Sequence, residues 1–279
     1  MDLGILAKQI KGGEWDDLMP SALRGPVASL SQTEIFAFLE SSCGTLGGPV
    51  KKNGWFDVYW SASWVTALRF ADAQPASTVL EIGVGVSTNF VRAASNALGP
   101  RGKYIAVNIN TGLTESARSR TRTLPIQQRF IHADAAHIRD HLDPESCVFV
   151  ALNHEINDMV QTIVFETSGR KTDHGDWYEM VPEMVALIRQ AQESGELERS
   201  VRPRFVETIR SCSKVLKTGG VMGFNNALVP SLLEAGYSKE LLGSYIPLAR
   251  TWLCDSVESL KELRIPGFDT RWWLFFRRV

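Results

Sequence analysis

The stretch TVLEIGVGVST, residues 78–88, decides the fold of this chain. It begins with apolar residues at Val79, Leu80 and Ile82, the composition of a strand that is buried on both faces of a sheet. Two glycines follow where the chain turns, and glycine lets the backbone approach a ligand closely. Because nucleotides bind at the carboxyl ends of parallel strands, this turn is a candidate nucleotide site.

The residues around the two glycines distinguish between nucleotide ligands. A dinucleotide fingerprint needs a third glycine three places after Gly85, where this chain has Thr88. Glu81 stands two places before Gly83. This E-x-G-x-G pattern resembles motif I of the class I S-adenosylmethionine-dependent methyltransferases. The resemblance implies that Glu81 contacts the methionine end of the cofactor while the glycines pass under it. A tight strand-to-helix turn in another α/β protein is the alternative.

Length and charge limit the classes of function. The 279 residues are enough for one large domain with a substantial core. The 30 basic and 31 acidic residues leave a formal charge of -1, so the balance indicates neither a nucleic-acid partner nor an anionic membrane surface. We therefore expect a small-molecule substrate, or S-adenosylmethionine alone, as the partner. A homodimer is left open.

The four cysteines, Cys43, Cys147, Cys212 and Cys254, are widely spaced and form no C-x-x-C pair. Neither a disulfide framework nor a zinc site is indicated, and we expect reduced, mostly buried thiols. The N-terminal residues lack a basic region followed by a long apolar run, and no segment is long enough to span a bilayer. The sequence therefore predicts a cytoplasmic protein.

Residues 1–75 read as a helical N-terminal cap ahead of a sheet domain at residues 76–279. The sequence Ser31-Gln32-Thr33-Glu34 is a capping box before Ile35. It predicts a helix that starts there and ends before a turn at residues 44–49.

Large rings are concentrated in WFDVYWSASW, residues 55–64. Aromatic side chains usually fill cores, so these rings would anchor the N-terminal helices on the sheet. S-adenosylmethionine carries a sulfonium cation, however, and ring faces attract cations where water is excluded. With a ring turned inward, Tyr59 is a candidate catalytic residue and Trp60 a candidate substrate contact. Both roles stay open for different rings.

From residue 76 onward, strands and helices alternate. Further strands are predicted at residues 102–108, 128–132 and 146–152, and helices at residues 90–97, 114–121 and 135–141. Such alternation is typical of parallel β-α-β units in a doubly wound sheet. The long stretch 154–216 would hold two or three helices, as a helical insertion at about residues 160–205.

Two C-terminal runs complete the predicted sheet. The turn KTGG at residues 217–220 precedes the apolar run VMGFN at residues 221–225, and a K-x-G-G turn often precedes the fifth strand of the methyltransferases. The run RWWLFFRR at residues 271–278 reads as a last strand, which the resemblance implies is antiparallel. The predicted fold is an α/β, doubly wound, mostly parallel seven-stranded sheet with an antiparallel C-terminal strand, a helical N-terminal cap and a helical insertion.

The resemblance implies that residues at the ends of the second and third strands contact the cofactor. These methyltransferases carry an acid at the end of the second strand that accepts hydrogen bonds from both ribose hydroxyls, whereas this chain has Asn108. An amide loses a charge-assisted contact of about 1.5–3 kcal/mol, so we expect a weaker or differently posed cofactor. After the third strand, Asp134 and Ala135 resemble the segment that binds the adenine. Alternatively, Asp134 caps the following helix.

The polar cluster NHEIND, residues 153–158, directly follows the predicted fourth strand. The resemblance implies that this segment lies beside the transferred methyl. Asn153 is a candidate cofactor contact. If a helix begins near His154, then His154 and Asp158 share a face while Glu155 turns aside. His154 is the candidate general base, because its reference pKa lies near neutrality, and Asp158 is a candidate catalytic partner. Alternatively, Asn153 and Asp158 form only local capping hydrogen bonds, and His154 is a structural residue in the wall of the site. Metal binding by this cluster lacks an E-x-x-H or H-x-x-x-H pairing, so no metal is predicted.

The insertion and the fifth strand supply candidate substrate contacts. Trp177 and Tyr178, beside His174 and Asp176, would close over a substrate, with Asn225 arriving from the end of the fifth strand. A surface or structural role is the alternative for each of them.

Three functions follow from this interpretation. The leading hypothesis is an S-adenosylmethionine-dependent methyltransferase acting on a small molecule. A second keeps the cofactor but attacks its aminobutyrate carbon, as nicotianamine synthases and azetidine-2-carboxylate synthases do, and releases methylthioadenosine. The absent acid at position 108 and the aromatic run motivate it. The third is a non-catalytic nucleoside-binding module on the same fold.

Overall fold

The computed structural model describes residues 1–43, 49–51 and 53–279. The α-helices are α1 Leu3–Lys11, α2 Ser21–Ser29, α3 Gln32–Cys43, α4 Gly54–Phe70, α5 Asn89–Leu98, α6 Thr111–Thr121, α7 Ile156–Thr167, α8 Trp177–Glu193, α9 Arg202–Val215, α10 Pro230–Glu234 and α11 Lys239–Cys254. The strands are β1 Thr78–Ile82, β2 Lys103–Asn108, β3 Gln127–His132, β4 Cys147–Asn153, β5 Leu216–Asn225, β6 Leu260–Leu263 and β7 Trp273–Arg278. Short 3₁₀ helices occupy Gly99–Arg101 and Ala135–Asp140, and a π-helical turn occupies Leu197–Val201.

The seven strands form one sheet in the order β3-β2-β1-β4-β5-β7-β6. Strands β1 to β5 are parallel, and β7 is antiparallel to both of its neighbours, β5 and β6. The predicted fold class is therefore confirmed. Successive strands run from β1 toward one edge and from β4 toward the other, so the strand order reverses between β1 and β4. Ligands of doubly wound sheets bind outside the carboxyl ends of the strands at such a switch point.

Strands β1 to β4 lie where the sequence predicts them, and β5 is longer than predicted. Leu216 already pairs with Cys147, while Val221 pairs with Phe149, so β5 takes five residues where β4 takes two. The predicted turn at residues 217–220 is this irregularity. Strand β6 was not located from the sequence, because its four residues include two charged ones and carry too short a pattern.

The sheet is covered by a helical layer on each face. Leu80 and Ile82 belong to the hydrophobic cluster that contains α7, α8, α9 and α11. Val79 belongs to the cluster that contains residues of α1 to α5. Because side chains alternate along a strand, Glu81 points to the same face as Val79, toward α4. None of the helices in the described residues combines the length and the apolar composition that a bilayer crossing needs.

The predicted capping box of α3 is confirmed. The Ser31 N–H donates to Glu34 Oε2 at 2.8 Å, and the Glu34 N–H donates to Ser31 Oγ at 3.2 Å. Most of the turn predicted to follow, residues 44–48, lies outside the described residues.

Helix α4 carries the aromatic run onto the sheet. The Asn53 side chain caps it by accepting hydrogen bonds from the N–H groups of Trp55 and Phe56. The Trp64 ring lies edge-on to Phe90, Phe149 and Trp273, with ring centroids 5.1, 6.0 and 4.9 Å away. The interpretation of these rings as anchors is confirmed for Trp64.

Candidate active site

Two adjoining cavities open at the carboxyl ends of β1 and β4. The first, of about 290 Å³, lies between the ends of β1, β2 and β3 and helices α7 and α9. The second, of about 130 Å³, lies between the glycine turn, α4, α8 and the segments that follow β4 and β5. Both cavities are lined by Gly83, Leu113, Asp158 and Trp177, which we call the neck.

The two glycines of the turn have different surroundings. Gly83 has φ +69°, and the Cβ of any other residue at this position would overlap Cδ of Glu155. The Glu155 carboxylate therefore lies against the α-carbon of Gly83, and any side chain at position 83 would collide with it. A Cβ at Gly85 would meet no heavy atom within 4 Å. Gly85 thus leaves open space in the wall of the second cavity.

Glu81 is buried beneath the site and does not line either cavity. Its carboxylate accepts hydrogen bonds from the Tyr104 hydroxyl and, at 3.2 Å, from Asn153 Nδ2. Burial raises the pKa of Glu81 to about 7. Strand alternation turns the Glu81 side chain toward α4, and its predicted contact with the methionine end of the cofactor stays a prediction. Glu81 acts on the site by orienting Asn153, which lines the second cavity.

Asn108 ties the end of β2 to the glycine turn. Its Nδ2 donates to the Val84 carbonyl oxygen at 2.9 Å, and its Oδ1 accepts from the Asn110 N–H at 2.7 Å. A carboxylate in this position could accept from Asn110 but could not donate to Val84. The hydrogen bond to Val84 therefore explains why an amide, and not an acid, stands at position 108. Asn108 also lines the first cavity.

Asp134 caps the helix that follows it and also lines the first cavity. Its Oδ1 accepts from the Ala136 N–H at 2.8 Å and caps the 3₁₀ helix Ala135–Asp140. Asp134 and Ala135 also line the first cavity. The capping role is confirmed, and adenine recognition at the same carboxylate stays a prediction.

The expectation for the cluster after β4 was wrong in two respects. Helix α7 begins at Ile156, and His154 has φ +61°, a left-handed conformation that is uncommon outside glycine. His154 is therefore not on the helix with Asp158; its backbone N–H donates to Asn225 Oδ1 at 2.6 Å. Glu155 does not turn aside, because the left-handed residue before it directs its carboxylate into the first cavity.

The chemistry available to this cluster follows from burial. Asp158 lines the neck, whereas both ring nitrogens of His154 are buried in the wall of the second cavity. Burial raises the pKa of Glu155 well above its ordinary value, and the nearby charges of Asp158 and Glu81 raise it further. Within the part of the chain that the structure describes, no three His, Cys, Asp or Glu side chains are arranged to hold a metal ion.

The predicted aromatic and amide contacts are divided between different places. Trp60, Trp177, Tyr178 and Asn225 all line the second cavity. Trp177 is buried in the neck, whereas Tyr178 is 53% exposed at the rim. Tyr59 lines a separate cavity instead, and burial raises its pKa. Tyr59 is therefore not brought to the site, because α4 turns it toward the other side of Trp60.

Sequence reasoning missed Glu155 as a site residue. The available signal was its place directly after a parallel strand, but its direction depends on the left-handed backbone of His154. Leu113, the fourth residue of the neck, was also missed. It lies in the first turn of α6, where the Asn110 side chain caps the helix by accepting from the Leu113 N–H at 3.0 Å.

Comparisons with known proteins give matches among solved structures. No family model and no curated protein matches the chain. TrmN from Thermus thermophilus matches at 15% identity and a TM-score of 0.41, over 80% of this chain and 49% of that one, so this chain spans about half its length. A SAM-dependent methyltransferase from Aquifex aeolicus matches at 11% identity and a TM-score of 0.46, over 90% of this chain and 98% of that one. A SAM-dependent O-methyltransferase from Thermotoga maritima matches at 12% identity and a TM-score of 0.40, over 78% and 65%. Likeness at this level does not carry a substrate or a reaction across to this chain.

Proposed function

We propose that this protein is an S-adenosylmethionine-dependent methyltransferase that acts on a small molecule. The observation that carries the proposal is the glycine turn at the switch point of the sheet, which opens onto two cavities joined by the neck. A two-part ligand with a nucleoside at one end and an amino acid at the other matches two cavities that meet at a glycine.

The residues present fit this cofactor. Asp134 and Ala135 in the first cavity would hold the adenine, and Asn108 lies at the ribose end of the same wall. The open space at Gly85, together with Asn153, would accommodate the methionine end in the second cavity. Asp158 places an acidic group at the neck, where it favours a cationic ligand.

Bound S-adenosylmethionine would supply a methyl group on a sulfonium for in-line displacement by a nucleophile. The chain's own part is to orient that nucleophile and to exclude water. Trp177 covers the neck from α8. Asp158 is the acid that lines both cavities, so we assign to it the acceptance of a proton from a hydroxyl or amine acceptor. His154, with its ring nitrogens in the wall, holds the turn that positions Asp158.

Binding and product analysis together test the proposal. Isothermal titration calorimetry should show S-adenosylmethionine binding to the wild type and loss of binding in Gly85→Val, whose side chain fills open space. An unchanged melting temperature of that variant is the control for folding. Mass spectrometry with a panel of acceptors should then detect S-adenosylhomocysteine. If methylthioadenosine forms in the absence of an acceptor, the enzyme breaks the bond to the aminobutyrate carbon, and methyl transfer is not its reaction. No binding at millimolar S-adenosylmethionine would overturn the proposal.

A further inference from the structure

The end of β2 has no free acid for a ribose. Asn108 stands where an acid was expected, and both ends of its amide already make hydrogen bonds, to Val84 and to Asn110. Asn108 can still form one further hydrogen bond as a donor and one as an acceptor with a ligand. A nucleoside in the first cavity would therefore lack a carboxylate partner at this strand end.

The Glu155 carboxylate lies close to this place. It rests on the α-carbon of Gly83, and the Gly83 N–H donates to the Val107 carbonyl oxygen at 2.8 Å. Val107 directly precedes Asn108, and all four residues line the first cavity. The carboxylate thus stands over the neighbouring strand end, next to the position where the acid is missing.

The Glu155 side chain is placed where it could bind a ligand. The residue is 8% exposed, and it lines the cavity. Among the described residues, no hydrogen-bond donor reaches its carboxylate. A buried carboxyl group without a donor costs free energy, which hydroxyl donors from a ligand would offset.

We propose that Glu155 accepts hydrogen bonds from the ribose hydroxyls of the bound nucleoside, in place of the acid that position 108 lacks. This inference rests on the proposed function, because it takes a nucleoside as the occupant of the first cavity. It assigns the ribose contact to the β4–α7 connection and not to the end of β2.

Calorimetric titration with adenosine and with 2′,3′-dideoxyadenosine tests the assignment. We expect the wild type to prefer adenosine by about tenfold, the range of one or two hydrogen bonds. Glu155→Gln should weaken adenosine binding by about tenfold and leave dideoxyadenosine binding nearly unchanged. Asp158→Asn removes a neighbouring carboxylate of the same cavity. It should change both affinities by the same factor and so keep the preference.

The outcomes separate this inference from the proposed function. If Glu155→Gln weakens both nucleosides equally, Glu155 acts through charge or packing, and the ribose assignment is wrong while nucleoside binding stands. If the wild type binds neither adenosine nor S-adenosylmethionine at millimolar concentration, the proposed function falls, and the assignment with it. Should circular dichroism show that the glutamine variant does not fold, Glu155→Ala carries the same test, because it only removes atoms.

Discussion

Asn108 Nδ2 donates to the carbonyl oxygen of Val84 at 2.9 Å, and this bond fastens the glycine turn to the neighbouring strand. The bond needs a donor, which an aspartate at position 108 could not provide while it is ionised. The departure from the expected pattern thus has a local cause: the same side chain cannot both hold this turn and present a carboxylate to a ribose.

The first prediction concerns Asn108→Asp. We expect the free energy of unfolding to fall by about 1–3 kcal/mol, because the variant loses a donor and places a carboxylate against the Val84 carbonyl. Urea denaturation measures the change. Gln127→Glu, at the exposed start of β3, is the control for an amide-to-acid change. The prediction would be wrong if the aspartate variant were as stable as the wild type and bound S-adenosylmethionine more tightly. That result would mean that an acid at position 108 can bind the ribose.

The second prediction compares the two glycines of the turn. Gly83→Ala should lower the free energy of unfolding by at least about 1–2 kcal/mol, the cost of a left-handed alanine, and should displace Glu155. Gly85→Ala, with open space around its Cβ, should stay within about 0.5 kcal/mol of the wild type. Thermal and urea denaturation of both variants measure the difference.

A double variant separates the two causes at Gly83. In Gly83→Ala with Glu155→Ala, the collision is removed and only the backbone strain is left, so part of the lost stability should return. Strictly additive losses would mean that the carboxylate does not press on this position.

The third prediction concerns pH. Burial raises the pKa of Glu81 from 4.5 to about 7, although hydrogen bonds from Tyr104 and Asn153 oppose the shift. The folded protein therefore holds this proton more tightly than the unfolded chain. Its contribution is present in full below pH 4.5 and is lost as pH rises through about 7. Between pH 5 and pH 7, the loss of this proton should lower the unfolding free energy of the wild type by up to about 3 kcal/mol. Glu81→Gln should lack this decrease. Wild-type and variant curves of the same slope would contradict it.

The fourth prediction concerns the neck. Trp177→Ala should lower the free energy of unfolding by about 3 kcal/mol, because the ring is buried, and should weaken S-adenosylmethionine binding. Tyr178→Ala changes the next residue, which is 53% exposed, and should alter stability by no more than about 0.5 kcal/mol. Urea denaturation and calorimetric titration measure both. Equal destabilisation of the two variants would mean that the neck does not depend on Trp177.

Strands β1 to β4 could be located because each apolar run is followed by a turn signal and a helical pattern. The glycine turn could be placed for the same reason. The direction of Glu155 could not, because it depends on the left-handed backbone of His154. Histidine is enriched among left-handed residues, but so few residues adopt this conformation that the residue type alone does not predict it. Tyr59 was predicted for the site because an inward-facing ring could attract a sulfonium. The sequence could not show which ring faces inward, because α4 is buried on nearly every side and its period identifies no single inward face.

The hydrogen bond from the Trp64 indole to Asn153 Oδ1, at 3.2 Å, joins residues 89 positions apart, and Asn153 reaches Glu81 across 72 positions. Loops of this length close at an entropic cost before their contacts form. In kinetic terms, we expect the Trp64–Asn153 bond to form only when α4 docks on a sheet that is already paired. Trp64→Phe, which keeps a ring but removes the N–H, should therefore speed unfolding and leave the folding rate unchanged in stopped-flow measurements. The contact between α4 and the end of β4 would then form late in folding and break early in unfolding.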